Sequence, residues 1–242
     1  MINKNIKYSF YIILAILFID QFIKILVKTN MALGDEFNVF GNWFMINFTE
    51  NNGMAYGIEF GGKIGKLILT SFRIIALFFI GWYIFKISKQ DSNKLTILSL
   101  SFIFAGALGN IIDSIFYGVI FDHSYYQVAS FLPEKGGYAS LFHGKVVDMF
   151  YFPIIETTFP SWLPIWGGES FLFFSPIFNI ADSAITIGVV LLIFFQKHLY
   201  NENKPLDNNL QEETTTLKNI NTKNNNTEFK EKNKNELDKT II

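Results

Sequence analysis

Four apolar runs dominate the chain: Tyr8–Val27, Leu67–Phe85, Leu95–Ile112 and Ile177–Phe195. A helix needs roughly 20 mainly apolar residues to cross about 30 Å of hydrocarbon, and each run comes close to that length. One such run can be a buried helix of a water-soluble fold; four in one chain predict membrane-spanning helices. Composition agrees, since half of the residues are hydrophobic and 28 of the 242 are Phe. Lys4 and Lys7 precede the first run, as in a secretory leader. That run is long, however, carries Asp20 and Lys24, and is followed by no small-x-small cleavage site. It reads as a retained first helix.

Basic residues near short loops set the orientation. Lys4 and Lys7 precede the first run, Lys86, Lys89 and Lys94 crowd the link between the second and third, and Lys197 follows the fourth. Four crossings put all of these on one side, so both termini are expected in the cytoplasm. Residues 28–66 and 113–176 fall on the outer side. In the first, the stretch Asn42–Thr49 with nearby glycines predicts short strands and turns at the membrane surface. The second holds Trp162 and Trp166, a residue type common at headgroup level, among Pro133, Pro153, Pro160 and Pro164. From Asn201 the composition turns to Asn, Lys, Glu and Thr, with too few apolar residues to offset ordering entropy. Residues 201–242 are therefore expected to be a disordered cytoplasmic tail.

Several function classes drop out. A net charge of −1 gives no bulk attraction to nucleic acid. The absence of cysteine removes disulfides, thiolate catalysis and cysteine-ligated metal. The histidines are His123, His143 and His198, with no His-Glu-x-x-His, so neither a metal nor another cofactor is expected.

What remains is polar chemistry placed where a bilayer penalises it. Asp20 and Lys24 lie one helical turn apart on one face, either as a self-neutralising pair or as a substrate contact. Ala105 and Gly109 form a small-x-x-x-small pair that lets another helix approach. Asn110 and Asp113 follow, and read first as hydrogen-bonding ties between helix end and loop. Asp182 stands inside the fourth run with no basic residue in its own helix before Lys197. Burial would raise its pKa, so it needs a partner, and Asp148 on the same side is a candidate. Two adjoining carboxyls share a proton: one form takes a proton from water while the other donates to a carbonyl oxygen. That is peptide hydrolysis without serine, cysteine or metal. The same acids would also suit a small proton-coupled transporter, although transporters place them near the bilayer midplane. A membrane scaffold without enzymatic activity would leave Asp182 without a purpose.

Five motifs in order carry a resemblance: Asp20-Gln-Phe-Ile-Lys24, Asn52-Gly53-Met54-Ala55-Tyr56-Gly57, Gly106-Ala-Leu-Gly109-Asn110-Ile-Ile-Asp113, Val146-Val147-Asp148 and Phe178-Asn179-Ile180-Ala181-Asp182. Together they resemble the bacterial lipoprotein signal peptidases, also called signal peptidase II, over about residues 8–196. The resemblance implies removal of signal peptides from prolipoproteins, cut just before a cysteine that bears a diacylglyceryl group. It implies a catalytic dyad of Asp148 and Asp182. Asp20, Lys24, Asn52, Gly53, Asn110, Asp113, Asn179 and Ala181 match positions that shape the site or hold substrate. The expected architecture is an all-α membrane protein, with residues 1–200 forming four transmembrane helices, a small periplasmic β-sheet and extended periplasmic loops. It would sit in the inner membrane as a monomer, with its site at the periplasmic face, in contact with lipid and prolipoprotein. Three features depart from the family pattern. Ser114 stands where the family has arginine after Asp113, with Lys145 or Arg73 as stand-ins, and extra segments occupy about 119–144 and 151–176.

Overall fold

The computed structural model describes residues 4–53, 62–89, 94–153, 155–173 and 176–202. Met54, Ala55, Tyr56 and Gly57 of the second motif and the tail from residue 203 onward lie outside these. By internal contacts the chain divides into Met1–Phe195 and Gln196–Ile242, and the residues of the site all belong to the first.

Helix α1 (Lys4–Lys28) leads into a hairpin of β1 (Glu36–Phe40) and β2 (Phe44–Asn51), and α2 (Gly62–Ser88) follows. Next comes α3 (Lys94–Ile112), which continues through a π-helical turn, Asp113–Tyr117, into the short α4 (Gly118–Ile120). The remaining elements are β3 (Val146–Tyr151), β4 (Ile155–Thr158), β5 (Ser170–Phe173), β6 (Ile177–Phe178) and α5 (Ile180–Glu202). Three helical stretches, Lys4–Lys28, Gly62–Ser88 and Lys94–Ile120, are long and apolar enough to cross a membrane; the apolar stretch of α5, Ile180–Phe194, is shorter. Phe18, Phe72, Phe78 and Ile193 are exposed along these helices, as a lipid-facing surface requires.

The helices approach through small residues. A Cβ at Gly106 would lie 2.2 Å from the Ala181 carbonyl oxygen, and one at Gly188 would lie 2.6 Å from that of Ser99. Any larger residue would push α3 and α5 apart. Gly109, expected from its spacing to permit close approach, does so: a Cβ there would meet an Asp20 carboxylate oxygen at 2.6 Å.

The strands depart from expectation. The sheet draws on both long segments, in the order β1-β2-β3-β6, and a second sheet pairs β4 with β5. An all-α description with one small sheet from residues 28–66 therefore understates the β content. Val146–Met149 are buried on both faces of β3, so that strand has a helix-end side and a loop side to cover. The fourth helix also begins later than the hydropathy of residues 177–195 suggests. Ile177 and Phe178 pair with Tyr151 and Phe150 of β3, and only after Asn179 does the chain turn helical. Asn179 stops the strand by capping the helix. Its side chain accepts from the Asp182 N–H at 2.9 Å, while its own N–H donates to the Asp182 carboxylate at 3.3 Å.

The core lies where the C-terminal end of α1 meets the sheet, and it includes Val27, Phe48, Tyr117, Phe121, Val147 and Met149. Phe121 and Ala129 come from the extra segment at 119–144, so that part of the insertion is integral to the fold. Lys28 fastens it. The ammonium pairs with Glu50, donates to Ser124 Oγ at 2.9 Å and lies over the rings of Phe121 and Tyr138.

Candidate active site

Helical spacing brings Asp20, Gln21 and Lys24 onto one side of α1, facing the end of α3. Lys24 Nζ lies 3.0 Å from Asp20 and 2.8 Å from Asp113, and donates to Asn110 Oδ1 at 2.8 Å. Gln21 donates to Asp113 at 2.9 Å, and Tyr117 donates to Gln21 Oε1 at 3.2 Å. The Ala181 N–H donates to Asp20 at 2.9 Å and the Val147 N–H to Asp113 at 3.3 Å. Both carboxylates are buried, and one ammonium with several N–H donors must satisfy them. This cluster locks α1, α3, β3 and α5 together.

A second acid pair adjoins it. Asn110 turns its Nδ2 the other way and donates to Asp182 Oδ1 at 2.9 Å. Asn179, already capping against Asp182, donates through Nδ2 to Asp148 Oδ1 at 2.6 Å. One asparagine thus touches both carboxylates. Asp148 Oδ2 accepts from Asn51 Nδ2, since β2 and β3 run antiparallel with Thr49 opposite Asp148. Burial at 4% exposure pushes the Asp148 carboxyl up to about 7, and the charge of Asp182 adds to the rise. Lys24, Asn179 and Asn51 pull the other way and do not prevail. Asp148 therefore carries a proton near neutrality that an exposed aspartate would have lost.

All the residues singled out in sequence lie in or beside this region, with one displacement. Asn52 does not reach the carboxylates: its Oδ1 accepts from Lys66 Nζ at 2.8 Å, and the preceding Asn51 holds Asp148 instead. Gly53 takes φ +83°, where glycine is the natural residue, and donates to Asn51 Oδ1 at 2.5 Å. Arg73 donates to the Gly53 carbonyl oxygen and feels the charge of Asp182. Neither proposed stand-in reaches Asp113: Arg73 serves Gly53, Lys145 pairs with Glu50 at 3.5 Å, and Asp113 relies on Lys24. Ser114 bonds back to the Asn110 carbonyl oxygen at 2.9 Å within its own helix. Gln21 and Asn51 were missed in sequence. Both sit beside a motif residue already chosen, and choosing between neighbouring amides needs the strand register and the helix rotation. Among the described residues no cluster of three or more acids or histidines suits a metal ion.

The chain as a whole has relatives. The sequence model of the family described as Signal peptidase (SPase) II matches residues 12–197. The chain belongs to the signal peptidase II family. The lipoprotein signal peptidase of Porphyromonas gingivalis is 55% identical over 183 residues, covering 75% of this chain and 79% of that one. The one from Amoebophilus asiaticus is 39% identical over 196 residues, covering 80% and 78%. A bacterial membrane enzyme solved in meso at 2.3 Å resolution superposes with a TM-score of 0.52 at 28% identity, covering 84% of this chain and 94% of its own. As a signal peptidase II, the protein is a protease with membrane-spanning apolar helices.

Proposed function

We propose that this signal peptidase II removes signal peptides from prolipoproteins by aspartic catalysis at Asp148 and Asp182, cutting on the amino side of the diacylglyceryl-modified cysteine. The observation that carries the reading is Asn179, which donates to both carboxyls, through Nδ2 to Asp148 and through its backbone N–H to Asp182, although they come from different elements. The pair holds one proton, seated on Asp148. Asp182 then takes a proton from a water whose oxygen attacks the scissile carbonyl carbon, while Asp148 gives its proton to the carbonyl oxygen. Collapse of the tetrahedral gem-diol returns that proton to Asp148, and Asp182 passes its proton to the departing amide nitrogen. The C–N bond breaks and the original protonation state is restored.

The same reading extends to topology. Helix α5 is the fourth span, both termini are cytoplasmic, and the sheet with the acid pair lies at the periplasmic face of the inner membrane. The lysines flanking the helices support this orientation. A site at that depth meets a cysteine whose acyl chains stay in the leaflet, each buried methylene contributing about 0.8 kcal/mol to binding. Every residue of the site comes from one chain, so a monomer suffices.

The test uses purified protein with a diacylglyceryl prolipoprotein, followed by product size. Asp148→Asn and Asp182→Asn are each expected to abolish cleavage without loss of membrane insertion. Full cleavage by Asp182→Asn would remove the reading.

A further inference from the structure

A cavity of about 760 Å³ opens between the start of α2 and the segment from His123 to Lys145. Lys63, Lys66, Lys145, His123 and His143 line it, and Glu50 is the acidic residue among its described lining. Glu50 presents little charge outward. Its side chain is 3% exposed and is held by the buried ammonium of Lys28 and the Ser124 hydroxyl, with Lys145 Nζ at 3.5 Å. Burial works against the charge of Lys145, but the Tyr125 hydroxyl and Glu50 outweigh it and hold this ammonium above its usual range. Among the described residues, Lys63 and Lys145 therefore make the wall cationic. A phosphate-sized ion would occupy a small fraction of such a volume, whereas several residues of extended chain would fill it.

Its place relative to the acid pair decides what it meets. Lys145 lies three residues ahead of Asp148 on the chain that becomes β3, and Asn52 follows the Asn51 that holds Asp148. At about 3.3 Å per residue, Lys145 of this cavity stands roughly 10 Å of extended chain from Asp148. A signal peptide is apolar and belongs with the exposed apolar faces of the helices. The polar wall supplied by residues 123–145 suits the other product by its charge. Resting on the proposed protease activity, we infer that this cavity binds an acidic stretch of the substrate two to four residues after the lipidated cysteine, so that the enzyme favours prolipoproteins with Asp or Glu there.

The experiment compares two lipidated peptides with one signal sequence, their cysteine followed by Ser-Asp-Glu-Glu or by Ser-Asn-Gln-Gln. Both are assayed in zwitterionic vesicles at low salt with the intact enzyme and with a variant carrying Lys63→Gln and Lys145→Gln. For the intact enzyme, kcat/KM is expected to be about tenfold higher on the acidic peptide, the sum of two or three partly exposed charge pairs. That ratio should fall to about twofold or less in the variant, and also in about 0.5 M salt, which screens exposed pairs. Unchanged turnover of the neutral peptide by the variant reports that its fold and acid pair are intact. Equal rates on the two peptides, or a preference that survives both substitutions, would overturn the inference. Stimulation by anionic phospholipid through the same lysines, without peptide preference, would also overturn it and assign the cavity to a headgroup. Cleavage of neither peptide overturns the protease reading, and this inference with it.

Discussion

Two pairs of aspartates lie side by side in this protein, separated by the side chain of Asn110, and they are solved in opposite ways. Asp20 and Asp113 share a fixed cation: Lys24 lies within 3.0 Å of both. Asp148 and Asp182 have neutral asparagines as their hydrogen-bond partners, from Asn51, Asn110 and Asn179. A buried pair given a lysine keeps its charge and serves as a clamp. A pair given amides, with one member buried as Asp148 is, retains a proton on that member, and a retained proton is a reagent. The residue types are the same, and under the proposed aspartic catalysis the nearest cation separates structure from chemistry.

That contrast breaks most sharply in paired substitutions. Asp148→Asn is expected to lower turnover by about 10³- to 10⁴-fold. Measured below about pH 4, where Asp148 is protonated in the folded and unfolded chain alike, its thermal stability in detergent should change by less than about 1.5 kcal/mol, since the substituted amide keeps one oxygen to accept from Asn51 or Asn179. Lys24→Met is expected to do the reverse in kind, lowering stability by about 3–5 kcal/mol because two buried carboxylates lose their counter-charge. Unfolding and turnover measured on the same preparations separate the two.

Asn51→Ala sharpens the comparison at a smaller scale. Asn51 donates to Asp148 and so favours its ionised form; without it the proton is held more tightly. Turnover is expected to fall by about 10- to 100-fold. The alkaline limb of the pH–rate profile should also move to higher pH, which a merely structural loss would not produce.

In the unmodified enzyme that limb should lie near the Asp148 value of about 7, with turnover falling as the proton leaves. Stability follows the same direction. The folded value stands above the ordinary 3.8, so folding binds the proton more tightly. The contribution is complete below about 4 and is lost as pH rises through about 7. Denaturation midpoints from pH 4 to 8 should show that decline, and Asp148→Asn should remove it. The smallest effect is reserved for Ser114→Ala, about 0.5 kcal/mol or less, because this hydroxyl only bonds back to its own helix.

The amino-acid sequence by itself determined the apolar helices, the residues of five motifs and the family they belong to. These rest on composition, periodicity and spacing along one stretch of chain. Even there a strand hid in the hydropathy: Ile177 and Phe178 are as apolar as the helix they precede, and pairing with β3 decided their state. Only the tertiary structure decided that Asn51 rather than Asn52 meets Asp148, 97 positions away, and that Asp20 receives the backbone of Ala181, 161 positions away. It also decided which acid pair acquired Lys24. Hydropathy is a property of neighbours in sequence, whereas a carboxyl's proton is governed by the charges and donors that folding brings within a few ångströms, and those come from elements whose register the local sequence does not encode.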